Sequence, residues 1–299
     1  KLKNTKELEK MKILDIIGNT PLVKISDNLY AKLELYNPTG SIKDRMANWV
    51  LNKAEESGEL KPGDTIVEAS SGNTGIAFSM LGSVKGYKVI IILPENMSEE
   101  RKQMMKLFGA ELIEVGPSDF KGAIALRDKM VEENENYFSP NQFSNPENVS
   151  CHEYTTGHEI KKQVTQANLG KIAAIVSGAG TGGTMMGVKA AFAWYVDEAP
   201  PQYVLVVPEE AEFHGIQGIG DGDDYLIDRD QMDVVTKIST PDAIDRAKRL
   251  ARESGLFVGI SAGANVLAAE RWMENNEFDG IVVTFLCDRG ERYLSVFNA

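Results

Sequence analysis

Short apolar runs alternate with amphipathic segments along most of the chain, and small-residue turns separate them. Amphipathic helix patterns follow these runs at short spacing, for example over 120–133 and 241–254. Strands that alternate with helices in this way are typical of βαβ units built around a parallel sheet. The pattern therefore predicts an α/β fold with mostly parallel sheets. The strand-like runs lie at 65–69, 88–93, 111–115, 172–176, 203–207, 256–258 and 281–285.

A loop rich in Asn, Pro and Ser interrupts this alternation over 137–148. A chain of 299 residues is long enough for two α/β domains or for one large α/β unit. If there are two domains, this loop is the predicted boundary between them.

The composition narrows the classes of partner. A net charge of −12 argues against nucleic acid or an anionic membrane surface. No apolar run approaches the roughly 18 residues of a membrane-spanning helix. The two cysteines, Cys151 and Cys287, cannot build a disulfide framework, which fits a reducing, cytoplasmic location. Three histidines with irregular spacing predict no metal site.

An Asn-Pro-Thr-Gly-Ser-Ile-Lys-Asp-Arg stretch over 37–45 places a lysine at the start of a predicted helix. A Pro-Thr-Gly turn precedes the helix, and Ser41 is its predicted N-cap. Lys43 then lies in the first turn, where the helix dipole disfavours a cation. That position suits an amine that is kept neutral or bound as an imine. The stretch alone also fits a solvated surface lysine.

A glycine-rich loop over 177–184 joins a predicted strand to a predicted helix. Its backbone N–H groups and the helix start together favour a phosphate. Gly178, Gly180 and Gly183 also satisfy the dinucleotide pattern G-x-G-x-x-G, and Glu209 or Glu210 is a late candidate for its acidic residue. The loop predicts phosphate binding without deciding whose phosphate, so a nicotinamide-dependent oxidoreductase remains an alternative.

Two further loops open helices. Residues 70–75, Ser-Ser-Gly-Asn-Thr-Gly, form a nest suited to an anion such as a carboxylate. Ser261 follows a glycine between a predicted strand and a helix. Its hydroxyl fits either a simple N-cap or a partner for a ring nitrogen.

With these stretches in hand, the chain resembles the cysteine synthase (O-acetylserine sulfhydrylase) family of fold-type-II pyridoxal-phosphate enzymes. Seven motifs carry the resemblance, and they occur in family order over nearly the whole chain. They lie at 17–23, 37–45, 71–75, 155–157, 180–184, 215–220 and 290–295. The resemblance implies two three-layer α/β domains with mostly parallel sheets and the cofactor in the cleft between them. Residues 36–147 would form the smaller, mobile substrate-binding domain, and residues 1–35 with 148–299 would form the larger domain that binds the cofactor phosphate.

The resemblance implies a role for each site residue. Lys43 would carry pyridoxal 5'-phosphate as an imine and act as the catalytic base, while Asn73 would hydrogen-bond the ring hydroxyl oxygen. Ser261 would meet the pyridine nitrogen. The cofactor phosphate would be held by Gly180, Thr181, Gly182, Gly183 and Thr184. The substrate carboxylate would be bound by Ser70, Ser71, Asn73, Thr74 and Gln142.

The implied reaction makes L-cysteine from O-acetyl-L-serine and sulfide, through an α-aminoacrylate. The same chemistry with O-phosphoserine as donor, or homocysteine as acceptor, remains open. A phosphoserine site needs a cation near the leaving group, for which Arg229 and Arg289 are candidates, whereas the acidic residues at 221–224 argue against it. The resemblance also implies a homodimer and names serine acetyltransferase as a candidate partner.

Overall fold

The computed structural model describes residues 11–70, 72–196, 199–210, 214–220 and 224–298. Ten strands and ten α-helices lie in these ranges. The strands are β1 (Leu22–Ser26), β2 (Leu29–Leu33), β3 (Thr65–Ala69), β4 (Lys88–Pro94), β5 (Glu111–Val115), β6 (Tyr137–Phe138), β7 (Ile172–Gly178), β8 (Gln202–Pro208), β9 (Val234–Ile238) and β10 (Ile281–Leu286).

The helices pack on the faces of the sheets formed by these strands. They are α1 (Lys43–Ser57), α2 (Asn73–Lys85), α3 (Glu99–Leu107), α4 (Phe120–Glu133), α5 (Glu147–Cys151), α6 (His158–Gln166), α7 (Gly183–Phe192), α8 (Thr240–Ser254), α9 (Ile260–Asn275) and α10 (Leu294–Phe297). One π-helical turn, His152–Gly157, joins α5 to α6.

The strands form two separate sheets. The larger has the order β1-β2-β10-β7-β8-β9, and the smaller has the order β5-β4-β3-β6. Only the β1–β2 pair is antiparallel; every other neighbouring pair is parallel. The predicted α/β fold with mostly parallel sheets is confirmed.

Each sheet is covered on both faces, which explains the continuous apolar runs in the sequence. In β4, six of the seven residues are buried. Side chains of β4 enter two hydrophobic clusters: Ile91 packs with α1 and α2, whereas Ile92 packs with α4. The larger sheet is likewise sandwiched between two clusters.

Four details of the local predictions differ from the structure. Residues 256–258 do not form a strand; Val258 makes only an isolated bridge to Arg289. Helix α1 begins one residue later than a Ser41 N-cap predicts, with Ile42 in the N-cap position, although Ser41 Oγ accepts from Lys43 N at 3.3 Å. The edge strands β6 and β9 were not predicted, because two residues and a half-exposed five-residue run carry little apolar signal.

The strands of the smaller sheet come from 65–138, and those of the larger sheet come from 22–33 and 172–286. This distribution agrees with the predicted division of the chain near residues 36 and 147. The division itself and the mobility of the smaller domain stay predictions. None of the helices in the described ranges is long and apolar enough to cross a membrane.

Candidate active site

Loops that leave the carboxyl ends of β3 and β7 meet at a cleft. Ligands of open α/β proteins bind at such strand ends. Lys43, Thr74 and Gln142 line this cleft together with Gly180. A smaller connecting cavity adds Ser261 and Thr184. The structure therefore brings the described predicted site residues together; Ser71 lies outside the described residues.

The Lys43 loop is fixed by the chain that leaves β10. Ile42 N donates to Cys287 O (2.9 Å), and Arg289 N donates to Gly40 O (3.2 Å). The same segment holds the loop before α9, because Gly259 N donates to Asp288 O (3.1 Å). Residues 287–290 thus set the backbone of Lys43 against the backbone of the Ser261 helix. Only the motif at 290–295 hinted at this role in the sequence.

A buried ion cluster anchors α1 two residues beyond Lys43. The Arg45 side chain, 3% exposed, pairs with Glu34 and Glu159, both at 2.7 Å. Lys32 Nζ also contacts Glu159, at 2.7 Å. Burial raises the pKa of Glu159, but hydrogen bonds and charge from Arg45 and Lys32 outweigh it and lower that pKa to about 2. These charges are paired and hydrogen-bonded, as a buried cluster requires.

The nest before α2 is held by side chains of its own loop. Ser70 Oγ accepts from Gly75 N at 2.9 Å and from Gly72 N at 3.3 Å. Thr74 Oγ1 donates to Gln142 Oε1 at 2.7 Å, which ties the nest to the loop after β6. The first backbone N–H groups of α2 face this end of the cleft, so the geometry suits a carboxylate.

Asn73 spans the cleft. Its Nδ2 donates to Asp288 Oδ2 (2.7 Å), which also accepts from the Tyr293 hydroxyl (2.6 Å). Asn73 Oδ1 is buried and has no hydrogen-bond partner among the described residues. A buried acceptor without a partner is costly, so this atom fits a ligand that is bound in the cleft.

Glycines let the loop after β7 pack closely against neighbouring segments of the chain. Gly182 has a φ of 91°, and a Cβ there would lie 2.3 Å from Ile227 N. A Cβ on Gly183 would lie 2.1 Å from Asn148 Oδ1. Helix α7 begins at Gly183, so its dipole and its first N–H groups favour a phosphate. The donor set therefore fits a phosphorylated cofactor.

Ser261 lies in the first turn of α9 and is almost fully buried. The Cys287 thiol lines the same small cavity as Ser261, and burial raises its pKa to about 12. The thiol is therefore protonated near neutral pH and is not an activated nucleophile.

Several residues of the cleft carry no motif that sequence reasoning could detect. The Arg101 side chain, 3% exposed, lies over the Tyr293 ring with Cζ 5.0 Å from its centroid, and Arg101 Nη1 donates to Gln217 Oε1. Phe143 and Tyr225 pack together at the cleft with their ring centroids 4.5 Å apart. Arg229 and Arg289 are not among the lining residues of this cleft.

The fold and the site define a class of protein. The family described as pyridoxal-phosphate dependent enzyme matches residues 13–288. The chain belongs to this family, and it is a pyridoxal-phosphate-dependent enzyme of fold type II.

Individual relatives narrow this class. The chain is 40% identical over 303 residues to a cysteine synthase of Staphylococcus aureus, with 95% of each chain covered. The structure of an O-ureido-L-serine synthase is similar with a TM-score of 0.88 and 36% identity, covering 95% of this chain and 93% of that one. An O-acetylserine dependent cystathionine beta-synthase from Helicobacter pylori gives a TM-score of 0.88 and 30% identity, covering 95% and 97%.

The histidine behind the glycine loop leads to a prediction about pH. Burial, with Arg45 and Lys43 nearby, lowers the pKa of His152 to about 3 from an ordinary 6.5. The unfolded chain therefore binds a proton between pH 6.5 and 3 that the folded protein does not bind. Folding stability must fall as the pH drops through this window.

Urea unfolding with saturating pyridoxal phosphate at pH 7.5 and pH 5.0 measures this loss. Between the two pH values, we expect the free energy of unfolding of His152→Gln to fall by about 2 kcal/mol less than that of the natural chain. The figure follows because pH 5.0 lies about 1.5 pH units below the pKa of His152 in the unfolded chain. Equal losses in the two proteins would show that His152 is protonated in the folded state.

Proposed function

We propose that this chain makes L-cysteine from O-acetyl-L-serine and sulfide by pyridoxal-phosphate-dependent β-replacement. The observation that carries the proposal is the meeting of the Lys43 amine, the glycine cradle and the unpartnered Asn73 oxygen in one cleft. The identity of 40% to a cysteine synthase supports the choice of product.

We assign the cofactor to the residues that surround the smaller cavity. Lys43 would hold it covalently, Asn73 would hydrogen-bond the ring hydroxyl oxygen, and Ser261 would meet the pyridine nitrogen. The phosphate would lie on the cradle formed by Gly180, Thr181, Gly182, Gly183 and Thr184. When bound, pyridoxal phosphate supplies an electron sink for the electron pair that stays on the α-carbon when its proton is removed. Because Ser261 is neutral, it leaves that sink weaker than an aspartate would.

The remaining steps belong to side chains of this chain. Ser70, Ser71, Asn73, Thr74 and Gln142 would bind the substrate carboxylate and so fix the α-proton next to Lys43. The Lys43 amine removes that proton as acetate leaves the β-carbon. After sulfide adds to the β-carbon, the Lys43 ammonium returns a proton to the α-carbon.

Closure of the smaller domain over the substrate would exclude water from the reactive β-carbon. The cross-cleft contacts of Asn73 with Asp288 and of Arg101 with Gln217 would then belong to the closed state. We therefore propose residues 36–147 as the mobile substrate-binding domain, and residues 1–35 with 148–299 as the domain that holds the cofactor phosphate.

The position of Arg101 favours O-phosphoserine as an alternative donor, whereas the two arginines named from the sequence have other partners. Arg229 is half-exposed and paired with Asp224 at 2.6 Å, and Arg289 Nε donates to Leu35 O at 2.9 Å. Arg101, by contrast, lines the cleft, and no carboxylate in the described ranges forms an ion pair with it. A phosphate leaving group would find its cation in Arg101.

The similarity to the Helicobacter pylori enzyme keeps homocysteine open as an acceptor.

A homodimer and a complex with a serine acetyltransferase are proposed on the resemblance alone, as is a cytoplasmic location. Light scattering with size-exclusion chromatography tests the homodimer. We expect a particle of twice the 32.8 kDa of the chain at micromolar concentration. A mass of one chain over that range would contradict the homodimer.

Replacement of the proposed base gives a direct test of the mechanism. Lys43→Ala should lower kcat for cysteine formation by at least about 10³-fold, because both proton transfers lose their catalyst. The cradle should still bind the cofactor, which would now be released by dialysis. Lys53→Ala is the matched control, since Lys53 is an exposed lysine on the same helix. Full activity of Lys43→Ala would remove the mechanism.

A substrate panel decides between the donors. We expect kcat/KM with sulfide to be at least about tenfold higher for O-acetylserine than for O-phosphoserine. Arg101 alone would offset only part of the charge of a phosphate leaving group. Arg101→Met should lower the phosphoserine value more than the acetylserine value. A large preference for phosphoserine would make the alternative donor correct.

A further inference from the structure

Two buried side chains lie directly behind the glycine cradle, on the face away from the cleft. Asn148 on α5 and His152 at the start of the π-helical turn are 2% and 1% exposed, respectively. Asn148 Nδ2 lies 3.0 Å from Thr181 Oγ1, and His152 Nε2 lies 3.3 Å from Thr184 Oγ1. Each hydroxyl of the cradle therefore has one polar group behind it.

Glycines allow this close approach between α7 and the α5 segment. A Cβ on Gly187 would lie 2.4 Å from Val149 O and 2.6 Å from His152 Cβ. A Cβ on Gly157, in the π-helical turn, would lie 2.4 Å from Ala191 Cβ. The two backbones pack without intervening side chains, so Asn148 and His152 are held in fixed positions relative to the cradle. The turn includes the motif at 155–157 that the reaction left without a role.

The orientation of the Asn148 amide follows from its other partner. Asn148 Nδ2 also lies 3.0 Å from Gln142 O, which can only accept a hydrogen bond. The amide nitrogen must therefore face both atoms, and each of its two hydrogens has an acceptor. Thr181 Oγ1 accepts from Asn148 and also from Gly183 N at 3.3 Å. With both lone pairs of Oγ1 engaged, the Thr181 hydroxyl hydrogen is directed to a further acceptor.

The His152 ring offers two arrangements. Its Nδ1 lies 2.9 Å from Thr156 Oγ1, and its Nε2 faces Thr184 Oγ1. If Nε2 carries the proton, it donates to Thr184, and the Thr184 hydroxyl hydrogen is left for an anion. If Nδ1 carries it, Nε2 accepts the Thr184 hydrogen, and the cradle loses a donor. An anion in the cradle favours the first arrangement, because it needs hydrogens and not lone pairs.

We propose that Asn148 and His152 are positioning residues for the cofactor phosphate. Each donates a hydrogen bond to a threonine oxygen from behind, His152 through Nε2–H, so that Thr181 and Thr184 both donate their hydroxyl hydrogens to the phosphate. The inference rests on the proposed function, in which the cradle binds that phosphate. Because Asn148 also donates to Gln142 O, it links the cradle to the loop proposed to bind the substrate carboxylate.

The test compares variants of His152 in the holoenzyme. We expect His152→Leu, which removes the donor, to weaken pyridoxal phosphate binding about tenfold and to shift the ³¹P resonance of the bound phosphate. His152→Gln, whose amide can still donate at the Nε2 position, should restore most of the affinity and the shift. His158→Leu is the matched control, because the described partners of His158 are Tyr195 and Trp194.

Two further measurements keep the outcomes distinct. Thr184→Val should change the ³¹P resonance of the bound phosphate in the same way as His152→Leu. If Thr184→Val and Thr181→Val both leave pyridoxal phosphate binding and this resonance unchanged, the cradle assignment of the proposed function is wrong. If Thr184→Val weakens binding and His152→Leu does not, only the inference fails. Should His152→Leu not fold, ¹⁵N NMR of the natural holoenzyme decides, since an Nδ1–H tautomer of His152 would overturn the proposal.

Discussion

The active site depends on the short segment that leaves β10. Residues 287–290 pair through backbone hydrogen bonds with the Lys43 loop on one side and with the loop before α9 on the other. The Asp288 side chain then reaches Asn73, from the smaller sheet, and is 1% exposed. Groups from three distant parts of the chain are thus set against one another by the end of a single strand. A backbone ladder is suited to this task because it fixes distances without rotamer freedom.

Several buried polar groups beside the site are paired with one another. Arg45 and Lys32 neutralise Glu34 and Glu159 under α1, and Asn148 and His152 contact the threonines of the cradle under α7. Asn73 Oδ1 is a buried acceptor without a partner among the described residues, and Asn73 lines the cleft. Polar groups that are satisfied by the protein give rigidity, whereas an unsatisfied acceptor at the cleft fits a bound ligand.

The elements that were predicted well from the sequence are those with a strong local signal. The runs at 65–69 and 111–115 coincide with β3 and β5; every residue of β3 is buried, whereas β5 is a partly exposed edge strand that keeps apolar residues at its centre. The apolar run at 256–258 was misread as a strand, since its residues bury against the C-terminal segment without joining a ladder. Helix α1 begins after Ile42 and not directly after Ser41, but the Ser41 hydroxyl still accepts from Lys43 N, which is the bond that a capping serine makes.

By itself the sequence determined the fold class, the family and the chemical types in the site, because glycine loops, a lysine at a helix start and family motifs are local features. Only the tertiary structure decided that Asp288, Arg101, Asn148 and His152 belong with them. These residues lie in segments without a distinctive pattern, and their importance comes from contacts across the cleft or across a helix pair. Local spacing cannot encode a contact between residues 73 and 288, since that distance is set by how two sheets pack.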